Sequence, residues 1–210
     1  MKYKVMIVED QTMPRELFEL RVQSSEHFEV ALSIDNAALT DVYCLQFPVD
    51  LILMDVVTRG GESGLDAAER IKRAFPQIKI IIVTSMPECS YLSRAREIGV
   101  ESFWYKEEQR ESLLDVMERT MAGESVYPDA TPEMQLGLAS SYKFTDRELE
   151  VLREMTGGDT NQEIAERLHM SVATVKTHIL NMLEKTGFRN RTELAVRARE
   201  SGLVILNRKN

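Results

Sequence analysis

Five short apolar segments alternate with helix-like segments over residues 1–122, and this alternation constrains the fold more than any other feature of the sequence. The third and fourth apolar segments, DLILMD and IKIIIVTS, are nearly continuous in hydrophobicity. Strands of this kind are typical of a parallel sheet that helices cover on both faces. The sequence therefore predicts a doubly wound α/β domain with a five-stranded parallel sheet over residues 1–122.

The composition changes after residue 122. Residues 123–142 contain two prolines, two glycines and a serine pair, so we predict a linker, with one short helix near 131–139. Residues 143–210 show helical periodicity and predict an all-α domain of four helices. The capping residues that mark their starts are Thr145 with Glu148, Thr160 with Glu163, Ser171, and either Asn190 or Thr192. The short segment HMS between the second and third of these helices is typical of a helix-turn-helix.

Hydropathy and charge exclude several classes of protein. No apolar run approaches the ~18 to 20 residues of a membrane span, and no signal peptide pattern is present. The two cysteines form neither a CxxC motif nor a disulfide framework, so we expect a reduced, cytoplasmic protein. The net charge is −8, yet residues 169–210 hold eight basic residues against three acidic ones, a local charge of +5. Only this last segment has the charge to attract nucleic acid.

Polar side chains stand at the carboxyl ends of the predicted strands. In the flavodoxin-like strand order 2-1-3-4-5, Glu9 and Asp10 after the first strand lie beside Asp55 after the third. Three carboxylates this close repel one another unless a cation lies between them, and oxygen ligands favour Mg²⁺. Thr84 and Lys106 end the next two strands and add a hydroxyl and a positive charge. Each residue alone has an ordinary structural explanation, but together they predict phosphoryl transfer to a carboxylate.

Residues 1–122 resemble the receiver domain of two-component response regulators through these strand-end residues. The resemblance implies that Asp55 accepts a phosphoryl group and that Lys106 pairs with it. It implies that the ligands of Mg²⁺ are Glu9, Asp10, Asp55 and the backbone carbonyl of Val57. It also implies a switch in which the phosphoryl charge draws the Thr84 hydroxyl and opens space for the Phe103 ring.

The loop after Asp55 departs from the receiver pattern. Receivers usually carry a Met-Pro pair three and four residues after the acceptor, where this chain has Thr58 and Arg59 followed by GGESG. The stiffness and orientation of the loop are therefore open. Arg59 either helps to neutralise a phosphoryl group or is an ordinary solvated side chain.

Residues 171–185 form a two-sided helix when wound at 100° per residue. The apolar sector comprises Val172, Val175, Ile179, Met182 and Leu183. The opposite sector comprises Ala173, Thr174, Thr177, Leu180, Asn181 and Glu184, with Lys176 on its flank. This pattern fits a recognition helix whose Thr and Asn side chains meet base edges in the major groove. The candidate phosphate contacts are Lys176, Lys185, Arg189 and Arg191. A solvated helix face is the alternative interpretation.

Residues 143–203 resemble the LuxR-type helix-turn-helix domain through a TDRELEVL opening, NQEIAERL, SVATVKTH and RTELAVRA, in order and at the usual spacing. The resemblance implies DNA contacts by Lys176 and Thr177, with Asn181 beside them. Leu180 stands where the family often has a polar or basic residue, and Thr186 replaces a usual leucine, so the base preference is open. The resemblance also implies dimerisation through the last helix, where the candidates are Leu194, Ala195 and Ala198. Packing of this stripe within its own domain is equally plausible.

Both resemblances together indicate a response regulator of the NarL/FixJ subfamily, with a receiver at 1–122, a linker at 123–142 and a DNA-binding domain at 143–210. We expect a histidine kinase to phosphorylate Asp55 with Mg²⁺, after which a homodimer binds two half-sites of double-stranded DNA. We expect no dedicated enzymatic activity and no membrane partner. The altered loop motivates an alternative, a regulator with a scaffold receiver that acts without phosphate. A metal-dependent phosphatase is disfavoured because Val57 stands where a second aspartate is needed.

Overall fold

The computed structural model describes residues 2–60, 62–85, 90–106, 111–201 and 203–204. These residues form two compact units, each with its own hydrophobic core. The first unit contains described residues between 2 and 85 and between 91 and 130, and the second runs from Thr131. The boundary between the units thus falls within the segment that we predicted as a linker.

The first unit is a five-stranded parallel sheet in the order β2-β1-β3-β4-β5, which confirms the predicted topology. The strands are β1 (Tyr3–Val8), β2 (Phe28–Ile34), β3 (Leu51–Met54), β4 (Lys79–Thr84) and β5 (Ser102–Tyr105). The helices are α1 (Thr12–Gln23), α2 (Thr40–Gln46), α3 (Gly64–Ala74), α4 (Ser90–Ile98) and α5 (Leu113–Met121). A single turn of 3-10 helix, Ala37–Leu39, precedes α2.

Both faces of this sheet are buried, as the continuous apolar strands predict. On one face, Phe18 and Val22 of α1 and Met117 of α5 pack against alternate residues of the strands. Residues with the opposite orientation, such as Ile52 and Ile80, are also fully buried, so the second face is covered too. Because Val8 pairs with Met54 in the ladder, β1 and β3 end at the same level.

The second unit contains the predicted helices α6 (Asp146–Thr156), α7 (Asn161–Arg167), α8 (Val172–Thr186) and α9 (Arg191–Ser201). Capping boxes at Thr145 and Thr160 are present as predicted, and Ser171 caps α8. The side chain of Asn190 accepts a hydrogen bond from the Glu193 amide (2.9 Å), so Asn190 caps α9. The four helices surround one apolar core. Among the described residues, no helix combines the length and the apolar character that a membrane span requires.

The predicted short helix near 131–139 is wrong. Residues 131–139, all of which the structure describes, contain no helix; a hairpin of β6 (Gln135–Leu136) and β7 (Ala139–Ser140) lies here instead. Gly137 turns the chain at φ +62°, and the Leu138 amide donates to the Thr186 carbonyl at the end of α8 (2.9 Å). A Cβ on residue 137 would collide with that carbonyl. The hairpin therefore caps the end of α8, a contact that local sequence does not reveal.

Candidate functional site

Three carboxyl groups meet at the carboxyl end of the sheet. Glu9 and Asp10 directly follow β1, and Asp55 directly follows β3, which lies beside it. One carboxylate oxygen from each residue lies within 4.8 Å of the other two. Glu9 and Asp55 are buried, whereas Asp10 is half-buried. The structure thus brings together the three side chains that the sequence assigned to a metal site.

The Lys106 ammonium lies inside this carboxylate cluster. It donates to Glu9 Oε2 (2.5 Å) and to Asp55 Oδ2 (2.9 Å). The Lys106 amide donates to the Thr84 carbonyl (2.9 Å), and this bond fixes the lysine at the end of β5. The second Asp55 oxygen, Oδ1, accepts a hydrogen bond from the Val56 amide (2.7 Å). Asp55 is therefore held in one orientation, with a cation against its carboxylate.

The electrostatics of the cluster favour a further cation. Burial raises the pKa of Asp55 to about 6; the Glu9 carboxylate also raises it, and Lys106 acts in the opposite direction. Among the described residues, three carboxyl groups face the Lys106 ammonium, so this cluster has an excess of negative charge when ionised. Its donor atoms are all oxygen, which suits Mg²⁺.

The predicted switch residues lie on neighbouring strands, where Thr84 pairs with Tyr105, two residues after Phe103. Thr84 ends β4 and Phe103 lies in the neighbouring strand β5, and both are buried. The Phe103 ring lies 6.3 Å from the ring of Tyr127, measured between centroids. The Tyr127 hydroxyl donates to the Val100 carbonyl (2.7 Å), and the Arg96 guanidinium lies over its ring. An aromatic residue of the predicted linker therefore contacts the predicted switch aromatic.

The unusual loop after Asp55 is anchored to the loop after β2. The Thr58 hydroxyl accepts a hydrogen bond from the Ala37 amide (2.9 Å) and is buried. The Arg59 amide donates to the Asp35 carbonyl (3.1 Å), and its guanidinium lies 3.3 Å from the Asp35 carboxylate at the surface. The structure therefore pairs Arg59 with Asp35. Thr58 and Arg59 provide anchors where the receiver pattern has a Met-Pro pair.

The two-sided character of α8 is confirmed. In the apolar sector, Val175, Ile179 and Met182 are buried, and Val172 and Leu183 pack against the same core. The exposed side chains of α8 are Ala173, Thr174, Lys176, Thr177, Leu180, Asn181 and Glu184. The helix therefore presents the predicted polar sector to solvent, with the Lys176 side chain on its flank.

The cations predicted to contact phosphate differ in their surroundings. The ammonium of Lys185 contacts both carboxylate oxygens of Glu148 (2.7 and 2.6 Å) and the Lys143 carbonyl (2.8 Å). This ion pair engages the ammonium at the domain surface, where the Lys185 side chain is 30% exposed, so its role as a phosphate contact stays a prediction. Arg191 donates to the Asn161 side chain (2.9 Å) and to a backbone carbonyl. In the part of the chain that the structure describes, Lys176 and Arg189 form no ion pair.

The predicted dimerisation stripe on α9 packs within its own domain in this structure. Leu194 and Ala198 have no exposed surface, and Ala195 is half-buried against the same core. These side chains hold α9 to its own domain, the alternative that the sequence had left open. Val196, on another side of α9, is exposed instead.

Comparison with known families assigns both units. Residues 5–118 match the model of the response regulator receiver domain, and residues 142–198 match that of bacterial regulatory proteins of the luxR family. The response regulator protein VraR from Staphylococcus aureus is 32% identical over 209 residues, covering 97% of this chain and all of VraR. VraR from Staphylococcus epidermidis is 33% identical with the same coverage. The chain belongs to the response regulators. It is a DNA-binding regulator of two-component signalling, with a receiver and a LuxR-type domain.

Solved structures of other response regulators share the fold. RcsB from Salmonella enterica serovar Typhimurium, bound to promoter rprA in the presence of the phosphomimetic BeF3-, matches with a TM-score of 0.60 and 20% identity, over 93% of this chain and 98% of RcsB. The response regulator ChrA of a heme-sensing two-component system matches with a TM-score of 0.52 and 22% identity, over 96% and 98% of the two chains.

Two features of this response regulator escaped the sequence analysis. Tyr127 contacts Phe103, and only its aromatic character within a polar linker could have drawn attention to it. Glu148 is recognisable as a capping residue, but its ion pair with Lys185 joins residues 37 positions apart. Burial works to raise the pKa of Glu148, but the hydrogen bonds from Lys185 and Thr145 outweigh it and hold the pKa below its ordinary value.

Proposed function

We propose that Asp55 accepts a phosphoryl group from a histidine kinase and that this modification controls DNA binding by the second unit. The observation that carries the proposal is the buried cluster of Glu9, Asp10 and Asp55 with the Lys106 ammonium against the acceptor. In the transfer, the phosphorus–nitrogen bond of a phosphohistidine breaks and a phosphorus–oxygen bond to Asp55 forms. The histidine nitrogen keeps the electron pair of the broken bond.

Each residue of the cluster has a separate task in this proposal. Glu9, Asp10, Asp55 and the Val57 carbonyl would hold Mg²⁺, which when bound neutralises charge on the phosphoryl oxygens. Lys106 already pairs with Asp55 and supplies a positive charge to the phosphoryl group after transfer. The Val56 amide orients the Asp55 carboxylate by its bond to Oδ1.

The same residues suggest how the modification reaches the linker. Phosphorylation adds about 1.5 to 2 negative charges to the end of the sheet, and we propose that the Thr84 hydroxyl moves toward them. We propose that Phe103, two residues before the Tyr105 partner of Thr84, fills the space that this movement leaves. Because the Phe103 ring contacts Tyr127, a displacement of Phe103 alters the packing of the chain segment that leads to the second unit.

We propose that α8 enters the major groove and that a homodimer occupies two half-sites about one helical turn apart. The candidate base contacts are Thr174, Thr177 and Asn181, and the candidate phosphate contacts are Lys176, Arg189 and the remaining donors of Arg191. All of these except Arg191 are exposed, and they lie in the region of local charge +5. The buried stripe on α9 is not part of the proposed dimer interface.

The proposed domain limits are 1–122 and 143–210, with a linker between them.

The test combines intact-protein mass with light scattering on the same samples. Full-length protein is incubated with Mg²⁺ and acetyl phosphate, which transfers its phosphoryl group and releases acetate. We expect one added phosphoryl group, a shift toward the dimer and tighter binding to a duplex selected from a random library. The Asp55→Asn variant should show none of these three changes.

A different result would favour the alternative function. If the mass does not change and the wild-type protein and the Asp55→Asn variant bind DNA with equal affinity, the protein regulates without phosphate. If modification occurs without dimerisation, the proposed switch acts through pairing on DNA or through release of the second unit.

A further inference from the structure

The exposed face of α8 carries a large apolar side chain that the domain core does not use. Leu180 is 60% exposed, whereas its neighbour Ile179 is 7% exposed and belongs to the core. An isolated exposed leucine is common on protein surfaces. This leucine, however, lies between Thr177 and Asn181, on the face that we propose to meet the base pairs.

The threonine hydroxyls beside Leu180 are engaged within the protein. The Thr177 hydroxyl donates to the Ala173 carbonyl (3.0 Å), one turn earlier in the helix. The Thr174 hydroxyl shares a hydrogen bond with the hydroxyl of Ser171 (2.8 Å). Because the Thr177 hydroxyl is bonded to the helix backbone, the methyl group is the part of the Thr177 side chain that faces solvent.

Methyl-bearing side chains consequently form a continuous strip along α8. Ala173, Thr177 and Leu180 are spaced by four and three residues, so they lie above one another on one helix face. Lys176 and Asn181 flank this apolar strip and are exposed. A cation beside the strip suits the phosphate-lined groove of duplex DNA, and Asn181 retains hydrogen-bonding groups for a base edge.

We propose that Leu180, with the methyl groups of Thr177 and Ala173, selects operators by contacting the C5-methyl group of thymine in the major groove. This inference rests on the proposed function of α8. In the major groove, the thymine methyl is an apolar group that an alkyl side chain can cover. Leucine has no hydrogen-bond donor or acceptor. A cytosine or guanine at the base pair that Leu180 contacts would therefore have a polar edge without a hydrogen-bond partner. The preferred half-site therefore carries thymine opposite Leu180.

Deoxyuridine tests this contact, because it pairs as thymidine does and lacks only the methyl group. A binding sequence is first selected from a random duplex library with phosphodonor-treated full-length protein. Each thymidine is then replaced in turn by deoxyuridine, and affinities are measured by fluorescence anisotropy. At one position in each half-site we expect an affinity loss of about fourfold, the value for burying one methyl group.

Two variants separate the contact from general damage. Leu180→Ala should bind the thymidine and deoxyuridine duplexes at that position equally, and should keep the wild-type salt dependence, since the phosphate contacts are unchanged. Val196→Ala is the matched control, because it also shortens an exposed apolar side chain on a helix of this domain. We expect Val196→Ala to keep the full fourfold discrimination.

The outcomes distinguish this inference from the function on which it rests. Binding without discrimination between thymidine and deoxyuridine at any position would overturn the inference and leave the proposed function intact. Equal discrimination by the wild-type protein and Leu180→Ala would also overturn it, because the methyl would then be read by another residue. If no sequence is enriched from the library, the proposed function fails, and this inference fails with it.

Discussion

Replacing Asp55 by asparagine is expected to stabilise the first unit when no divalent cation is present. In the ionised cluster, the Asp55 carboxylate lies close to two other carboxylates, Glu9 and Asp10, and to one ammonium, that of Lys106. Asparagine removes one negative charge from this cluster and keeps nearly the same volume. The substitution therefore relieves repulsion without opening a cavity.

The distances set the size of the effect. At an effective dielectric constant of about 20, two unit charges at the 4.8 Å upper limit of these separations repel by about 3.5 kcal/mol, and Asp55 experiences two repulsions of at least this size. The attraction to the Lys106 ammonium at 2.9 Å is about 6 kcal/mol on the same scale. The balance is at least about 1 kcal/mol of repulsion, to which the cost of burying the charge adds, so we expect a gain of about 1–3 kcal/mol.

Trp104 provides the assay. It is the single tryptophan of the chain and lies buried in the first unit, so its fluorescence reports the unfolding of that unit. Urea titrations in EDTA should give a higher free energy of unfolding for Asp55→Asn than for the wild-type protein. With Mg²⁺ at a hundredfold excess over its Kd, the wild-type protein gains about 2.7 kcal/mol, and the variant gains less.

A matched control removes a carboxylate outside the cluster. Glu97 is an exposed residue of α4, and Glu97→Gln should change the free energy of unfolding by less than about 0.5 kcal/mol. Equal or lower stability of Asp55→Asn in EDTA would refute the electrostatic reasoning. An equal Mg²⁺ effect on the variant and on the wild-type protein would refute the assignment of Asp55 as a ligand.

Three further substitutions test other contacts of the structure. Lys185→Met leaves the buried Glu148 carboxylate without its cation and should destabilise α6 and α8 by about 2 kcal/mol at neutral pH. This loss is smaller than the ~3–5 kcal/mol expected for breaking a fully buried ion pair, because Lys185 is partly exposed. Because the folded state lowers the pKa of Glu148, the stability that the ion pair provides is complete at pH values above the ordinary pKa of 4.5 and is lost as the pH falls through the folded pKa. Hydrogen exchange of peptides from both helices measures this loss of stability. Gly64→Ala should slow modification of Asp55 by acetyl phosphate at least tenfold, because a Cβ at residue 64 would collide with the Asp55 backbone carbonyl. Mass spectrometry follows the rate of modification. An unchanged rate would contradict the close packing of Gly64 against Asp55. Tyr127→Leu should leave the phosphorylation rate unchanged and weaken the phosphorylation-dependent gain in DNA affinity, whereas an unaltered gain would exclude Tyr127 from the switch.

The sequence alone determines the strand segments, the capped helix starts and the residues that stand at the strand ends, because each depends on local pattern; the strand order came from the flavodoxin-like arrangement, which the structure confirms. Continuous apolar strands require a sheet covered on both sides, and the carboxyl ends of adjacent parallel strands then bring Asp55 to Glu9. Capping boxes such as that at Thr145 are complete within four residues. The periodicity of α8 likewise separates its buried side from its exposed side.

Only the tertiary structure decides which equivalent side chains remain available for function. Lys176 and Lys185 have the same chemistry and lie on the same helix, but only Lys185 is close to the buried Glu148 carboxylate, which pairs with its ammonium. The sequence pattern makes Leu194 a candidate interface residue, but in the structure its side chain is buried in the core of its own domain. The hairpin turn at Gly137 and Leu138 is fixed against the end of α8, whose Thr186 carbonyl accepts a hydrogen bond from the Leu138 amide. These pairings join residues far apart in the chain, and their energies depend on distances that local periodicity does not encode.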